Sequence, residues 1–313
     1  MRDNFIKALE DNDLCEMRKI PKSDLHNHAS RGGNKRYIEA WNGTKIAKAP
    51  IFKNLNEMNE WNSKNIKPFI KGRIGYEKRI EAAFVQAKTD GVKLLNMSFS
   101  IDEVSEYGNS VEDMVHTLKQ IHKNFAPNVT FIPEIALNSY TPFNVLNKGL
   151  EEFLAQDYFR SIDIYGDENI LPEFKKLFRE AKDKGLILKA HVGEFGSAEL
   201  IREAVEELEL DQVQHGIAAA NSQSIMRWLS DNKIQLNVCP TSNVCLSRVE
   251  SYGVHPIKTL YDNGVKVTVN TDDMIIFDQS VSEEFFNLYN AGVFSCTELN
   301  EIRENGLSSI YNI

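Results

Sequence analysis

Histidines and acidic residues occur in four short groups along the chain, each at the end of an apolar run. The groups are HNH at 26–28, HVGE at 191–194, QHG at 214–216 and NTDD at 270–273. On an extended chain, His26 and His28 point to the same side and can reach one metal ion. Alone, that pair is a weak indication of a metal site, and Asp272 with Asp273 could simply cap a turn. Each group by itself therefore has an ordinary structural explanation.

The apolar runs before these groups are predicted to be strands of a parallel sheet. Runs such as VKLLNMSF are almost continuously apolar, which is typical of parallel strands buried on both faces. Eight such runs alternate with helical segments, and this alternation most simply closes into a (β/α)8 TIM barrel. We therefore predict an α/β fold in which residues 1–313 form one domain. The predicted strands are Ser23–His26, Val92–Phe99, Val129–Leu137, Arg160–Tyr165, Leu186–Val192, Gln212–His215, Ile234–Cys239 and Val265–Asn270.

The segments between the strands carry the signals of helix boundaries. Pro172 stands where a first helical residue is expected, Gly185 where a left-handed cap is expected, and Ser197 before a further helix. The exception is Ala29–Gly75, a long insertion after the first strand that is predicted to form a lid over the barrel mouth. The predicted helices are Tyr76–Thr89, Val111–Phe125, Leu171–Gly185, Ser222–Asp231 and Val281–Ala291.

The composition excludes several classes of protein. The chain of 313 residues is 42% hydrophobic and 10% aromatic, which is too apolar for intrinsic disorder. Its 36 basic and 45 acidic residues give a net charge of −9, which argues against a nucleic-acid partner. We find no apolar stretch typical of a signal peptide or a membrane span. The four cysteines form no CxxC pair, and we expect a cytoplasmic protein without a membrane partner.

In the predicted barrel, the polar groups at the ends of strands one, five, six and eight share one rim. Three imidazoles and one carboxylate would then come together from His26, His28, His191 and Asp272. This donor set suits Zn²⁺, and Fe²⁺, Mn²⁺ or Co²⁺ less decisively, with one coordination position left for water. The carboxylate favours an active site over a purely structural one, because closed structural sites usually use thiolates.

The motifs PKSDLHNH, HVGE, QHG, CPTSN and NTDD, in this order and spacing, resemble the adenosine deaminase family of metal-dependent amidohydrolases. The resemblance runs from about Ile20 to the C-terminus. SIDIYGDE at Ser161–Glu168 resembles the family segment whose glycine backbone contacts the purine. The resemblance implies zinc-dependent hydrolytic deamination of adenosine or 2′-deoxyadenosine to inosine and ammonia, with a metal-activated water attacking purine C6.

The resemblance also implies roles for individual residues. Glu194 protonates purine N1 and therefore needs a raised pKa, while His215 hydrogen-bonds the attacking oxygen. Asp273 lies near that oxygen and the N7 edge, and Gly166 offers its backbone N–H to the ring. Outside the site, Cys239 is predicted to be a packing thiol and Asn243 to hold its loop through backbone bonds. Apolar residues of the insertion could close the purine pocket or form helical core, namely Tyr37, Ile38, Trp41, Phe52, Leu55, Met58, Trp61 and Phe69.

The sequence departs from the family pattern after the HxH motif. Family members usually continue with Leu-Asp-Gly, and the acid there resembles a partner for the ribose 5′-hydroxyl. Here Ser30 takes its place and can bond a hydroxyl only without charge assistance. Arg31 and the glycines after it could bind an anion on the 5′ side, or form a solvated turn. Adenine, N6-methyl-AMP and other 5′-modified adenosines therefore stay open as substrates.

Two further interpretations are weaker. Barrel hydrolases that cleave amides or phosphoesters often hold two metals through a carboxylated lysine on strand four, and the run RSIDIYG contains no lysine. A non-catalytic homologue that binds nucleosides would not need Glu194, His215 and Asp273 together. For the deaminase and for the nucleoside-binding homologue the partner is a small purine, and the sequence does not predict the oligomeric state.

Overall fold

The computed structural model describes residues 1–309, and the structural statements below refer to those residues. Eight strands form one parallel sheet in which every strand pairs with the next along the chain. Each predicted strand is present, with its ends within two residues of the prediction. The strands are β1 (Lys22–His28), β2 (Val92–Ser100), β3 (Thr130–Asn138), β4 (Ser161–Tyr165), β5 (Ile187–Val192), β6 (Gln212–His215), β7 (Gln235–Val238) and β8 (Lys266–Val269).

The sheet closes where the chain leaves β8 and returns to β1. A parallel bridge joins Asn27 to Asp272, and the Asp272 N–H donates to the His26 carbonyl at 2.9 Å. The Leu25 N–H donates to Asn270 Oδ1 at 2.7 Å. The predicted (β/α)8 barrel is therefore confirmed, and its closure brings the NTDD motif against the HNH motif.

Helices lie between the strands and at both ends of the described chain. Short 3₁₀ helices occur among them, including Lys67–Phe69 and Glu168–Phe174. The α-helices are α1 (Arg2–Glu10), α2 (Leu14–Met17), α3 (Lys35–Asn42), α4 (Leu55–Asn65), α5 (Gly72–Thr89), α6 (Val111–Phe125), α7 (Phe143–Leu154), α8 (Lys175–Asp183), α9 (Ala198–Leu208), α10 (Gln223–Asp231), α11 (Pro240–Cys245), α12 (Ile257–Asp262), α13 (Met274–Phe277), α14 (Val281–Asn290) and α15 (Cys296–Ser308).

The predicted helices are found, with one correction. Pro172 lies inside the 3₁₀ helix Glu168–Phe174 and not at the first residue of α8. The turns start earlier because the Asp167 side chain caps them by accepting the Asn169 N–H at 3.0 Å. Gly185 adopts a φ of +77°, as the predicted left-handed position after α8 requires.

The strands are buried on both faces, but the two faces differ in polarity. In β2, Leu95, Met97 and Phe99 pack into the main core with the helices. On the opposite face, Leu94 belongs to a small separate apolar cluster, and polar side chains fill the barrel interior beyond it. Lys189 Nζ there lies 3.0 Å from Glu134 Oε2. The continuous apolar character of the strands therefore comes mainly from their helix-facing side.

The insertion Ala29–Gly75 contains α3, α4 and the 3₁₀ helix Lys67–Phe69. Its apolar side chains form a second core with residues that follow β8. Ile38 and Phe52 pack there with Ile275 of α13. The insertion is thus anchored to the rim that carries the polar motifs.

Within residues 1–309, the helices are all too short or too polar to cross a membrane.

Candidate active site

The four predicted metal ligands meet at the carboxyl-end rim of the barrel. His26 Nε2 lies 3.0 Å from His191 Nε2, and His28 Nε2 lies 3.0 Å from Asp272 Oδ1. The distance from His26 Nε2 to Asp272 Oδ1 is 3.7 Å. Ligand atoms around a tetrahedral Zn²⁺ lie about 3.3 Å apart, given zinc–nitrogen distances of about 2.0 Å. The four side chains therefore have the spacing of ligands to a single small cation.

The outer nitrogens of the three imidazoles face polar partners. His191 Nδ1 lies 2.9 Å from Asp163 Oδ2, and His28 Nδ1 lies 2.9 Å from Ser98 Oγ. His26 Nδ1 lies 3.4 Å from the Asn237 carbonyl oxygen. Partners of this kind favour the tautomer that turns an unprotonated Nε2 toward the centre, as in known histidine metal sites. The residues present therefore fit a divalent cation.

Asp163 is a site residue that the sequence reasoning missed. It lies on β4 and is fully buried, and its carboxylate orients the His191 ring. The only signal in the sequence is its place in SIDIYGDE, three residues before Gly166, which is assigned to the purine. The alternation of side chains along β4 indicates which face Asp163 occupies. It does not indicate that His191 of β5 lies opposite, which only the structure shows.

We expect Asp163→Asn to lower metal affinity by about 10–100-fold, because an amide orients and polarises the imidazole less well than a carboxylate. Competition with a chromogenic chelator measures this directly. Asp157→Asn is the matched control, because Asp157 is exposed before β4 and its side chain faces only the exposed Arg160, at 3.7 Å, among the ion pairs of the described residues. Equal metal affinity of Asp163→Asn and the parent protein would contradict the role.

Glu194 is placed beside this cluster by the loop that follows β5. Its side chain is 8% exposed, and Oε2 lies 3.5 Å from His215 Nε2. Oε1 is buried without a hydrogen-bond partner among the described residues. Burial, followed by the negative charge of Asp272, raises the pKa of Glu194 well above its usual value. A raised pKa is what a carboxyl needs to act as a proton donor to the purine.

His215 adopts a φ of +62° at the end of β6, a left-handed conformation that is uncommon outside glycine. Its Nδ1 lies 3.3 Å from Asn243 Nδ2. Because the amide donates to Nδ1, the proton of the neutral ring is on Nε2, which faces Glu194. Burial lowers the pKa of His215 to about 3, so the ring is neutral. The Asn243 side chain therefore holds His215, while its backbone carbonyl accepts the N–H of Arg248 at 2.8 Å and of Val249 at 3.1 Å, as the prediction that it fixes its own loop requires.

Asp272 and Asp273 diverge where the chain leaves β8. Asp272 has a φ of +58°, and its Oδ2 accepts a hydrogen bond from Ser242 Oγ at 2.6 Å. Asp273 Oδ2 instead lies 3.1 Å from Arg31 Nη1. The left-handed turn thus sends one carboxylate to the histidines and the next one to the cavity. Ser242, from the CPTSN motif, is a second site residue that the sequence reasoning missed.

A cavity opens over the cluster. Gly166, in a backbone conformation with φ of +120°, lines it, and a Cβ there would come within 2.4 Å of Ser139 Oγ. Leu55 and Met58 of the insertion also line it and pack with the second core, whereas Ile38 and Phe52 lie in that core and do not line the cavity. Other lining residues come from the end of β4 and from segments that follow the strands, namely Tyr165, Glu168, Phe195 and Leu246. The cavity thus has the predicted metal ligands on one side and apolar side chains of the insertion on the other.

The two residues that depart from the family pattern are placed differently. Ser30 does not line the cavity. Arg31 does, but its Nη1 contacts Asp273 Oδ2 at 3.1 Å and Asn59 Oδ1 of α4 at 3.4 Å. Its side chain is only 22% exposed, so the solvated-turn alternative is wrong. Arg31 thus connects α4 of the insertion to Asp273, the neighbour of the predicted metal ligand Asp272.

The eight-stranded parallel barrel, with its His-rich rim at the carboxyl ends of the strands, defines the chain as a TIM-barrel protein. More narrowly, it belongs to the adenosine deaminase family, whose sequence profile, described as adenosine deaminase, matches residues 82–312. A Treponema pallidum protein named "Putative adenosine/adenine deaminase" is 32% identical over 281 residues, which cover 89% of this chain and 94% of that protein. The resemblance seen in the motifs is confirmed, and the chain is a hydrolytic purine deaminase.

Two solved structures have the same fold. The adenine deaminase of Arthrobacter aurescens aligns with a TM-score of 0.80 and 23% identity, over 92% of this chain and 93% of that one. An amidohydrolase of Burkholderia ambifaria, solved with bound Zn, aligns with a TM-score of 0.77 and 19% identity, over 93% of this chain and 86% of that one.

Proposed function

We propose that the protein is a zinc-dependent enzyme that converts adenosine, or 2′-deoxyadenosine, to inosine and ammonia. The observation that carries the proposal is the buried Glu194 carboxyl, which shares a cavity with the histidine cluster and with Gly166. Three imidazoles and a carboxylate are donors that suit Zn²⁺, the ion present in the Burkholderia relative. A protein that only binds purines has no use for a proton donor in this place.

The side chains of the cavity have separate tasks in this reaction. A cation held by the cluster would supply the Lewis acidity that makes water reactive near neutral pH. Glu194 gives its proton to purine N1, because N1 takes up the electrons displaced when oxygen adds to C6. His215, neutral and protonated on Nε2, donates a hydrogen bond to that oxygen. The Gly166 N–H holds the ring. Of the two protons of the attacking water, one passes to the 6-amino group, which leaves as ammonia, and the other restores the Glu194 carboxyl.

Adenine is the second candidate substrate, and the geometry on the sugar side favours it. An acid that could accept the ribose 5′-hydroxyl is missing after the HxH motif, and Ser30 does not line the cavity. Arg31 occupies part of the sugar side of the cavity, where Asp273 and Asn59 hold it. The cavity therefore offers fewer contacts that would stabilise a bound ribose than the family pattern implies.

The substrate is tested by offering the metal-loaded protein adenosine, 2′-deoxyadenosine, adenine, AMP and N6-methyl-AMP. Loss of purine absorbance and release of ammonia are followed together. We expect turnover of adenosine or adenine, and at least about tenfold lower kcat/KM for the phosphorylated compounds. The reason is that the charge of Arg31 is already paired with Asp273, and each 1.4 kcal/mol of lost binding is tenfold.

No turnover of any compound at full metal occupancy would refute the proposed function. A preference for AMP or N6-methyl-AMP would instead return Arg31 to the anion-binding role that the sequence left open.

A further inference from the structure

Glu168 lies two residues beyond Gly166, and its carboxylate is buried in the loop that carries Glu194. Its Oε2 accepts the N–H of Gly193 at 2.6 Å and of Gly196 at 3.1 Å. Its Oε1 accepts the N–H of Phe195 at 2.8 Å and of Glu194 itself at 3.2 Å. Four consecutive backbone donors therefore converge on one carboxylate, which is the full accepting capacity of that group.

The loop is shaped to admit this carboxylate. A Cβ at Gly196 would lie 2.6 Å from Glu168 Oε2, so a larger residue there would displace it. Gly193 has a φ of +73°, which turns the chain so that its N–H and the following three point the same way. A glutamine at position 168 cannot replace the carboxylate, because its NH₂ group would face backbone donors in place of an acceptor.

We propose that Glu168 is a positioning residue that holds the loop of the proton donor Glu194 in register with the purine-binding backbone at Gly166. The inference rests on the proposed function. Gly166 and Glu168 belong to one short segment after β4, whereas Glu194 follows β5. The four hydrogen bonds are the connection between these segments, so a purine held at Gly166 meets the Glu194 carboxyl at a fixed distance. A shift of about 1 Å at such a site can cost about 100-fold in rate.

Glu168 also contributes charge to the site. The charged groups that act most strongly on Glu194 are Asp272, Glu168, Arg248 and Asp273, and burial acts more strongly than any of them. The neutral His215 ring also faces the Glu194 carboxyl, at 3.5 Å. The carboxylate of Glu168 raises the pKa of Glu194, whereas the guanidinium of Arg248 lowers it. Removal of the charge at position 168 therefore makes Glu194 lose its proton at lower pH.

The test uses the full-length, metal-loaded enzyme with Glu168→Gln, and Glu173→Gln as matched control. Glu173 is exposed in the same 3₁₀ helix. For Glu168→Gln we expect kcat to fall by about 10–100-fold, KM to change by less than about threefold, and metal content to stay unchanged. The alkaline limit of the kcat/KM profile should move to lower pH. Glu173→Gln should behave as the parent enzyme.

Glu168→Asp distinguishes the effect of the negative charge from the effect of side-chain length, because it keeps the carboxylate but shortens the side chain by one methylene. We expect it to lower kcat while its alkaline limit stays that of the parent, and it serves as the readout if Glu168→Gln does not fold. Hydrogen exchange of the amides of residues 193–196, measured without substrate, should quicken in either variant. A parent-like kcat and pH profile with unchanged exchange would overturn the inference. An inactive parent enzyme would refute the proposed function, and the exchange rates would still decide whether Glu168 holds the loop.

Discussion

Glu194→Gln is expected to keep the parent metal content and to lose about 10³-fold in kcat, the middle of the range for a positioned general acid. Its carboxyl faces His215 at 3.5 Å, beside the four proposed metal ligands. The amide has nearly the same size and can still make a hydrogen bond. It cannot give up a proton to N1, so binding survives and the chemical step fails. Saturating kinetics and elemental analysis of the same preparation measure both quantities.

Glu199→Gln is the control for this change. Glu199 is exposed in the first turn of α9, five residues further along the chain, so the same substitution there removes a charge without touching the cavity. We expect parent-like kcat and metal content. A Glu194→Gln enzyme within about tenfold of the parent would show that the N1 proton comes from another group.

His191→Ala is expected to lose the metal as well as the activity. The substitution removes one of four donors and leaves the fully buried Asp163 carboxylate without the imidazole it faces at 2.9 Å. A buried charge that loses its partner typically costs about 3–5 kcal/mol, so a lower melting temperature is also expected. Loss of a Lewis acid worth several kcal/mol corresponds to about 10³-fold or more in rate.

Metal content after dialysis against buffer separates this variant from Glu194→Gln, which should stay fully loaded. His116→Ala, on the exposed face of α6, is the histidine control and should behave as the parent. Full occupancy in dialysed His191→Ala would exclude His191 from the ligand set. Full activity at that occupancy would further mean that the cluster is not the reaction centre.

The barrel and its motif-bearing rim could be predicted because their signals are local. An apolar strand and the polar residues that end it lie next to each other in sequence, and eight repeats of the pattern leave few other closed arrangements. The histidines at 26, 28 and 191 and the acid at 272 could thus be assigned to one place without coordinates. The proton-donor role of Glu194 came from the resemblance of HVGE to the family motif.

Residues that work through a distant partner could not be found in this way. Asn243 holds His215 across 28 positions, and Glu168 binds a loop that begins 25 positions later. A glutamate after a strand or an asparagine in a loop has many ordinary roles, and only its partner selects one. The same holds for Arg31, whose two alternatives at the sequence level did not include the pairing with Asp273.

The sequence by itself determined the fold class, the family and the residues of the proposed cation site, because these depend on residue type, strand period and order along the chain. Only the tertiary structure decided how those residues are held and tuned. Burial raises the pKa of Glu194, and Asp163, Asn243 and Glu168 orient the groups around it. The physical reason is that desolvation and hydrogen-bond geometry depend on neighbours from other elements, and barrel closure is what makes those elements neighbours.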